Sequence, residues 1–246
     1  MIIFNVKIAG IVAQVRALFE SSLEYCKAYT TQQQPDFTVE ITQDDLVLER
    51  EKVARTDIAE GKSVRNVSEA QLEITAIQRK IAQELIAYDT VLFHGSAIAV
   101  DGAAYLFTAK SGTGKSTHTR LWRQMLGQRA IMINDDKPFL RVAEDAILVC
   151  GSPWNGKHGL GKNIEIPLKA ICVLERGEKN DICKMDPQDV LHTMLQQSYR
   201  PTGTKNLAKY LELIGTIAGQ TSLYRLRCNM QPDAAAVSYR EMSQEK

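Results

Sequence analysis

Ala103-Ala104-Tyr105-Leu106-Phe107-Thr108-Ala109-Lys110-Ser111-Gly112-Thr113-Gly114-Lys115-Ser116-Thr117 is the stretch on which the reading of this chain turns. The first six residues form a short apolar run with aromatic and β-branched members, which reads as a buried strand. Thr117 to Met125 reads as a helix with Leu121, Trp122 and Met125 on one face. Between them, Ser111, Gly112, Thr113, Gly114, Lys115, Ser116 and Thr117 have the composition of a phosphate-binding loop. Glycines there let backbone N–H groups turn inward around phosphate oxygens. Lys115 is placed to reach β/γ-phosphates, the Ser116 hydroxyl to take a magnesium position, and the helix start to add its positive dipole end. The usual pattern is Gly-x-x-x-x-Gly-Lys-[Ser/Thr], and Ala109 stands where its first glycine belongs. The order strand, glycine loop, helix outweighs that departure.

Outward from the loop, strand runs are expected at Thr90–Phe93, Ser96–Val100, Ala130–Ile133, Pro138–Val142, Ala146–Cys150, Lys169–Glu175 and Thr221–Arg227, with Asp101-Gly102 a tight hairpin turn. Helices are expected after Asp186-Pro187, over Thr204–Ala218 and over Pro232–Met242. Before Thr90, strands at Met1–Val15 (turning at Ala9-Gly10) and Phe37–Ile41 accompany helices at Leu18–Ala28 and Ser68–Asp89, while Asp44–Ala59 reads as surface helix or loop. The expected fold class is therefore α/β, divided into an accessory α+β subdomain with its connecting helix at 1–88 and a catalytic domain at 89–246.

The 246 residues carry a net charge of +1, so no strong field favours nucleic acid or a membrane surface. No apolar run reaches the length of a membrane span, and the first residues read as a strand rather than a secretion leader. The five cysteines are scattered without a Cys-x-x-Cys pair, so all five are expected to be reduced, small buried side chains in a cytoplasmic protein.

Two further clusters carry chemistry. Ile131-Met132-Ile133-Asn134-Asp135-Asp136 ends an apolar strand in paired carboxylates, one helix beyond the loop. That is where a nucleotide-bound magnesium needs a ligand and an attacking hydroxyl needs a base. Phe93-His94-Gly95-Ser96-Ala97 puts a histidine at the end of an upstream strand. A third segment, Gly151-Ser152-Pro153-Trp154-Asn155-Gly156-Lys157-His158-Gly159, reads as a long loop. Trp154 either anchors that loop in the core or packs on a base or substrate. Lys157 is a candidate to neutralise phosphoryl charge, with Lys137 and Arg200 as further candidate cations.

His94-Gly95, the Ser-Gly-Thr-Gly-Lys-Ser loop and Asp135-Asp136 stand in the order found in the catalytic domain of bacterial HPr kinase/phosphorylases. Together with His94-Gly95-Ser96-Ala97, they also resemble ATP-using phosphoenolpyruvate carboxykinases. The resemblance covers roughly residues 90–175 and implies a shared P-loop core with a mixed sheet. It implies an ATP- and Mg-dependent phosphotransferase that moves the γ-phosphoryl group to a hydroxyl, a serine of a protein or peptide by likeness to the kinases. A small-molecule hydroxyl and a nucleotide-binding regulatory module without turnover are the alternatives. Carried over residue by residue, Lys115 is the loop lysine and Ser116 the metal-binding hydroxyl. Asp135 is taken as the base and Asp136 as the metal ligand. His94 matches a proton-handling residue in one family and a metal ligand in the other. No counterpart is found for the segment that supports phosphorolysis, nor for a carboxykinase's oxaloacetate-binding arginine, so neither of those activities is implied.

Overall fold

The computed structural model describes residues 1–156, 158–204 and 206–244. The chain divides into two compact units, Met1–Leu85 and Ile86–Lys246.

In the first unit, β1 (Ile2–Ile8) and β2 (Ile11–Ala17) pair antiparallel. Ala9 and Gly10 both take positive φ (52° and 76°), the backbone a two-residue hairpin demands. α1 (Glu20–Cys26) follows, then β3 (Phe37–Glu40), which pairs parallel with β2. Asp44–Ala59, open between helix and loop in the sequence, lies within one helix, α2 (Gln43–Ala59). α3 (Glu69–Glu84) starts at Ser68, whose hydroxyl accepts from the Gln71 N–H. It stops short of Asp89, because Leu85–Tyr88 tighten into a 3-10 turn.

The second unit is built on a mixed sheet. Its strands are β4 (Thr90–Leu92), β5 (Ser96–Val100), β6 (Ala103–Thr108), β7 (Ala130–Asn134), β8 (Phe139–Val142), β9 (Ile147–Cys150), β10 (Glu165–Arg176), β11 (Asp181–Lys184) and β12 (Ser222–Cys228). Its helices are α4 (Lys115–Leu126), α5 (Pro187–Gln197), α6 (Leu207–Gln220) and α7 (Asp233–Met242). The order is β4-β8-β9-β10-β6-β5-β7, with β12 on β10 and β11 on β12. β6, β10 and β12 run parallel, while β5 and β7 run antiparallel to their neighbours. Asp101 and Gly102, both at positive φ, close the β5–β6 hairpin. β11 has no counterpart among the expected strands, since Asp181-Ile182-Cys183-Lys184 is short and mostly exposed.

Alternation along the central strands sorts side chains onto two faces. Ala97, Ala99, Ala104, Leu106 and Ile171 pack with Val190 and Met194 of α5 and Tyr210, Leu213, Ile214 and Ile217 of α6. Ile98, Tyr105, Phe107, Cys172 and Leu226 pack with Leu121 and Trp122 of α4 and Ala234 and Ala235 of α7. The unit is thus a sheet covered on both faces, with α4 and α7 side by side on one of them. Those two helices are pinned by a polar knot in an apolar layer. Trp122 Nε1 donates to Ser238 Oγ (2.8 Å), and His118 Nε2 lies 2.9 Å from the same oxygen. Met125, placed with Leu121 and Trp122 by the sequence, is exposed instead: the face meeting the sheet and α7 is used up by His118, Leu121 and Trp122. Cys26, Cys150 and Cys172 are buried, whereas Cys183 is exposed and Cys228 half-buried, contrary to the expectation that all five are interior. Both sit on β11 and β12, at the edge of the sheet.

Candidate nucleotide and phosphoryl-transfer site

The loop leaves the carboxyl end of β6 and runs into α4. Gly112 and Gly114 adopt φ of 76° and 121°, conformations that side chains resist. Ala109 has no such φ; it is buried, with its methyl in the cluster that includes Phe107 and Leu121. A glycine at that point is therefore not required by the backbone. Lys115 folds back over the loop, its Nζ donating to Ala109 O at 3.2 Å. Arg176, at the end of β10, donates through Nη2 to Gly112 O at 2.9 Å and so braces the loop from across the sheet.

β7 delivers the acidic pair. Asn134 fixes its backbone: Oδ1 accepts from the N–H of Asp136 (2.8 Å) and Lys137 (2.7 Å), while Nδ2 donates to Ser152 O and Oγ (3.1 and 3.0 Å). The turn sends the two carboxylates in different directions. Asp135 is 5% exposed, and its Oδ1 accepts from Ser96 Oγ at 2.7 Å. Ser96 Oγ lies 3.0 Å from Thr119 Oγ1, linking the base candidate to the second turn of α4. Asp135 Oδ2 faces Gly156, where a Cβ would come within 2.9 Å of it. Asp136 keeps more of its side chain in solvent and approaches His94, with Nε2 to Oδ1 at 3.5 Å.

His94 is lowered to a pKa of about 4, chiefly by burial and then by the Lys137 and Lys115 charges. It is neutral near pH 7, so the approach to Asp136 is imidazole to carboxylate and not an ion pair. The Gln197 side chain, as a hydrogen-bond partner, works against that shift. Thr108 Oγ1 donates to both His94 O (2.8 Å) and Gln197 Oε1 (3.0 Å). Burial also lowers the Lys115 and Lys137 pKa values, opposed in both by Asp136.

A cleft of about 560 Å³ collects most of these groups: His94, Ser111, Gly112, Gly114, Lys115, Ser116, Thr117, Asp135, Asp136, Gly156 and His158 line it. Thr113 lines a second cleft on the other side of the loop. Lys157, a catalytic candidate from the sequence, lies outside the described residues. Arg200 is exposed and lines neither cleft. Trp154 is buried with its ring 6.3 Å from that of Phe139, so it anchors the loop and does not offer a face to a base. The hydroxyl of Ser116 and the carboxylates of Asp135 and Asp136 are hard oxygen donors of the kind magnesium takes, usually one or two carboxylates with waters and phosphate oxygens completing the shell. Among the described residues no group of three or more His, Cys, Asp or Glu is gathered to hold a metal.

Sequence reasoning missed Ser96 as the partner of Asp135, Thr119 behind it, Arg176 under the loop, and Gln197 against His94. Ser96 was visible in the His-Gly-Ser-Ala segment, but its partner lies 39 residues away. Arg176 and Gln197 carry no local signal at all.

No family model matches the chain, and no curated protein does. Among solved structures, the Hpr(Ser) kinase/phosphatase from Coxiella burnetii is similar to it at 14% identity and a TM-score of 0.36, over 62% of this chain and 99% of that one. No helix among the described residues is long and apolar enough to cross a membrane.

Proposed function

We propose that the second unit is a P-loop phosphotransferase that binds a magnesium-bound nucleoside triphosphate and passes its γ-phosphoryl group to a hydroxyl. The observation that carries this is one cleft holding the glycine loop, Lys115 and Ser116 on one wall and Asp135, Asp136 and His94 on the other. The phosphates lie along the loop, where Gly112 and Gly114 turn backbone N–H groups inward. The triphosphate draws Lys115 Nζ away from Ala109 O, exchanging a neutral acceptor for charged ones. The nucleoside occupies the second cleft, of about 480 Å³, which opens at the carboxyl ends of β6, β10 and β12 and is walled by Leu121, Leu174 and Met230.

Ser116 and Asp136 would hold a magnesium ion, which would supply charge neutralisation of the phosphates. The remaining work falls to this chain's side chains. Ser96 pins Asp135 through Oδ1, leaving Oδ2 toward the cleft to accept the proton of an attacking hydroxyl. Neutral His94 adds no charge to the acidic wall and holds Asp136 in place. Phosphoryl transfer needs mainly positioning and charge stabilisation, and this layout provides both.

With γ-labelled ATP and a cell extract as the source of acceptors, wild-type protein is expected to label at least one acceptor. Lys115→Ala is expected to lower that labelling by about 10³-fold or more, as loss of a main phosphate contact does, with an unchanged circular dichroism spectrum. Undiminished labelling by the variant rules the assignment out. Lys115-independent ATP affinity with no transfer to any acceptor would favour a regulatory module instead.

A further inference from the structure

A third cleft, of about 520 Å³, opens beside the first two turns of α4 and is lined by Ser116, Thr117, Thr119, Arg120, Arg123, Met132, Asp135, His158 and Leu160. It is not a separate hollow. Ser116, Thr117, Asp135 and His158 line both it and the phosphate cleft, so the two meet at the carboxylate assigned as base. Whatever fills it has access to Asp135 on the side away from the nucleoside cleft, with which it shares only Thr117.

Its charge is distinctive. Arg120 and Arg123 stand one helical turn apart on α4 and enter no ion pair among the described residues. Elsewhere in this unit, arginines are mostly committed: Arg129 to Asp101, Arg141 to Glu165, Arg225 to Glu175 and Asp189, Arg227 to Glu175. Asp135 is the one carboxylate among the lining residues, and one of its oxygens already accepts from Ser96 Oγ. Two uncommitted guanidinium groups in a concave site match a planar or tetrahedral oxyanion through paired N–H donors. Met132 and Leu160 complete the wall with apolar surface. The volume is that of a small-molecule pocket, about 300–1,000 Å³.

We infer that this cleft holds the phosphoryl acceptor, and that the acceptor is a small hydroxylated molecule bearing an anionic group, a carboxylate or a phosphate, which Arg120 and Arg123 bind while its hydroxyl meets Asp135. The inference rests on the phosphotransferase reading and specifies its substrate class. The acceptor oxygen attacks the γ-phosphorus and forms a new P–O bond. The bond from the γ-phosphorus to the bridging oxygen breaks, ADP leaves with the electron pair, and the acceptor's proton passes to Asp135. The arginines are positioning residues for the acceptor and play no part in holding the nucleotide.

The test uses the full chain with magnesium and a non-hydrolysable ATP analogue. Glycerate and glycerol 3-phosphate serve as anionic hydroxyl probes, glycerol as the neutral control and a serine-containing peptide as the macromolecular alternative. Saturable binding of at least one anionic probe is expected, weakened tenfold or more in the Arg120→Gln/Arg123→Gln protein and partly restored by lysines at both positions. Affinity for the analogue is expected to stay within twofold in all three proteins. Which probe binds separates carboxylate from phosphate as the anchor. Binding of neither anion by a protein that still binds the analogue overturns the inference and leaves the nucleotide reading standing. So does equal binding by the glutamine variant, or, with ATP in place of the analogue, phosphorylation of the peptide at equal kcat/KM by both proteins. Failure of wild-type protein to bind the analogue overturns both.

Discussion

Both units bury carboxylates, and they treat them differently. In the first unit Glu73 is completely buried and saturated: the N–H groups of Leu18 and Phe19 and the hydroxyl of Ser22 all donate to it. Asp45 accepts from Thr42, Arg79 and Lys80, and Asp57 from the backbone and side chain of Arg65. In the second unit Asp135 is as hidden as Asp45, yet one hydroxyl is its hydrogen-bond donor among the described residues, and its other oxygen lies against Gly156, a residue that lines the same cleft. Saturated carboxylates hold a fold together. A carboxylate buried at a strand end with acceptor capacity left over is available for a proton. On the proposed function, that contrast separates scaffold from chemistry more sharply than burial does, because burial is common to both.

The contrast breaks if substitutions in the two units give the same phenotype. The largest effect is expected at Asp135. Asparagine keeps an oxygen for the Ser96 hydroxyl, so the fold holds, while kcat for phosphoryl transfer falls by about 10²–10⁴-fold with the base removed. Steady-state kinetics and a melting curve on the same protein check both halves. Glu73→Gln is expected to do the opposite. It weakens three charge-assisted bonds and costs the first unit about 3 kcal/mol in denaturant unfolding, without changing ATP affinity.

How much of this was legible beforehand follows from how local each feature is. The strand, loop and helix around Gly112 and Gly114 were readable because turn chemistry and periodicity act over a few residues. Ala109 looked like a defect in the motif; the structure shows a buried alanine at an ordinary φ, information a residue pattern does not carry. The acidic pair was visible too, and the resemblance divided its roles between Asp135 and Asp136, but the contacts that set the two carboxylates apart were not legible, since they depend on Asn134 turning the backbone and on Ser96 arriving from β5. Trp154 was ambiguous between core and ligand because burial of a loop residue is decided by what folds over it. Met125 and β11 were misread for the same reason: packing partners, not local pattern, set exposure at a helix face and at a sheet edge.

A subtler difference lies in pH. In the first unit, Asp45 is lowered to about 2: burial pushes it upward, but hydrogen bonds from Lys80, Thr42 and Arg79 win. Its contribution is complete above the ordinary range near 3.8 and is lost as pH falls toward 2. In the second unit, His94 and His118 are lowered to about 4, His118 by burial alone and His94 chiefly by burial. Unfolded chains bind those protons first, so stability is complete above about 6.5 and declines as pH falls from there to 4. His118→Gln is expected to remove up to one proton's share of that slope, about 1.4 kcal/mol per pH unit, from the second unit alone. Denaturant unfolding between pH 4 and 6.5 measures it, and an unchanged slope would mean that His118 does not titrate with unfolding.

The most direct measurement is a calorimetric titration of the full chain, with magnesium, by ATP, ADP and AMP in turn. If the glycine loop, Lys115 and Ser116 read the outer phosphates, ATP and ADP bind saturably with one site per chain and AMP binds at least tenfold more weakly. Glu73→Gln protein then gives the same isotherms, and Lys115→Ala loses the preference. Equal affinity for ATP and AMP, or no binding of any of the three by folded wild-type protein, would contradict the account.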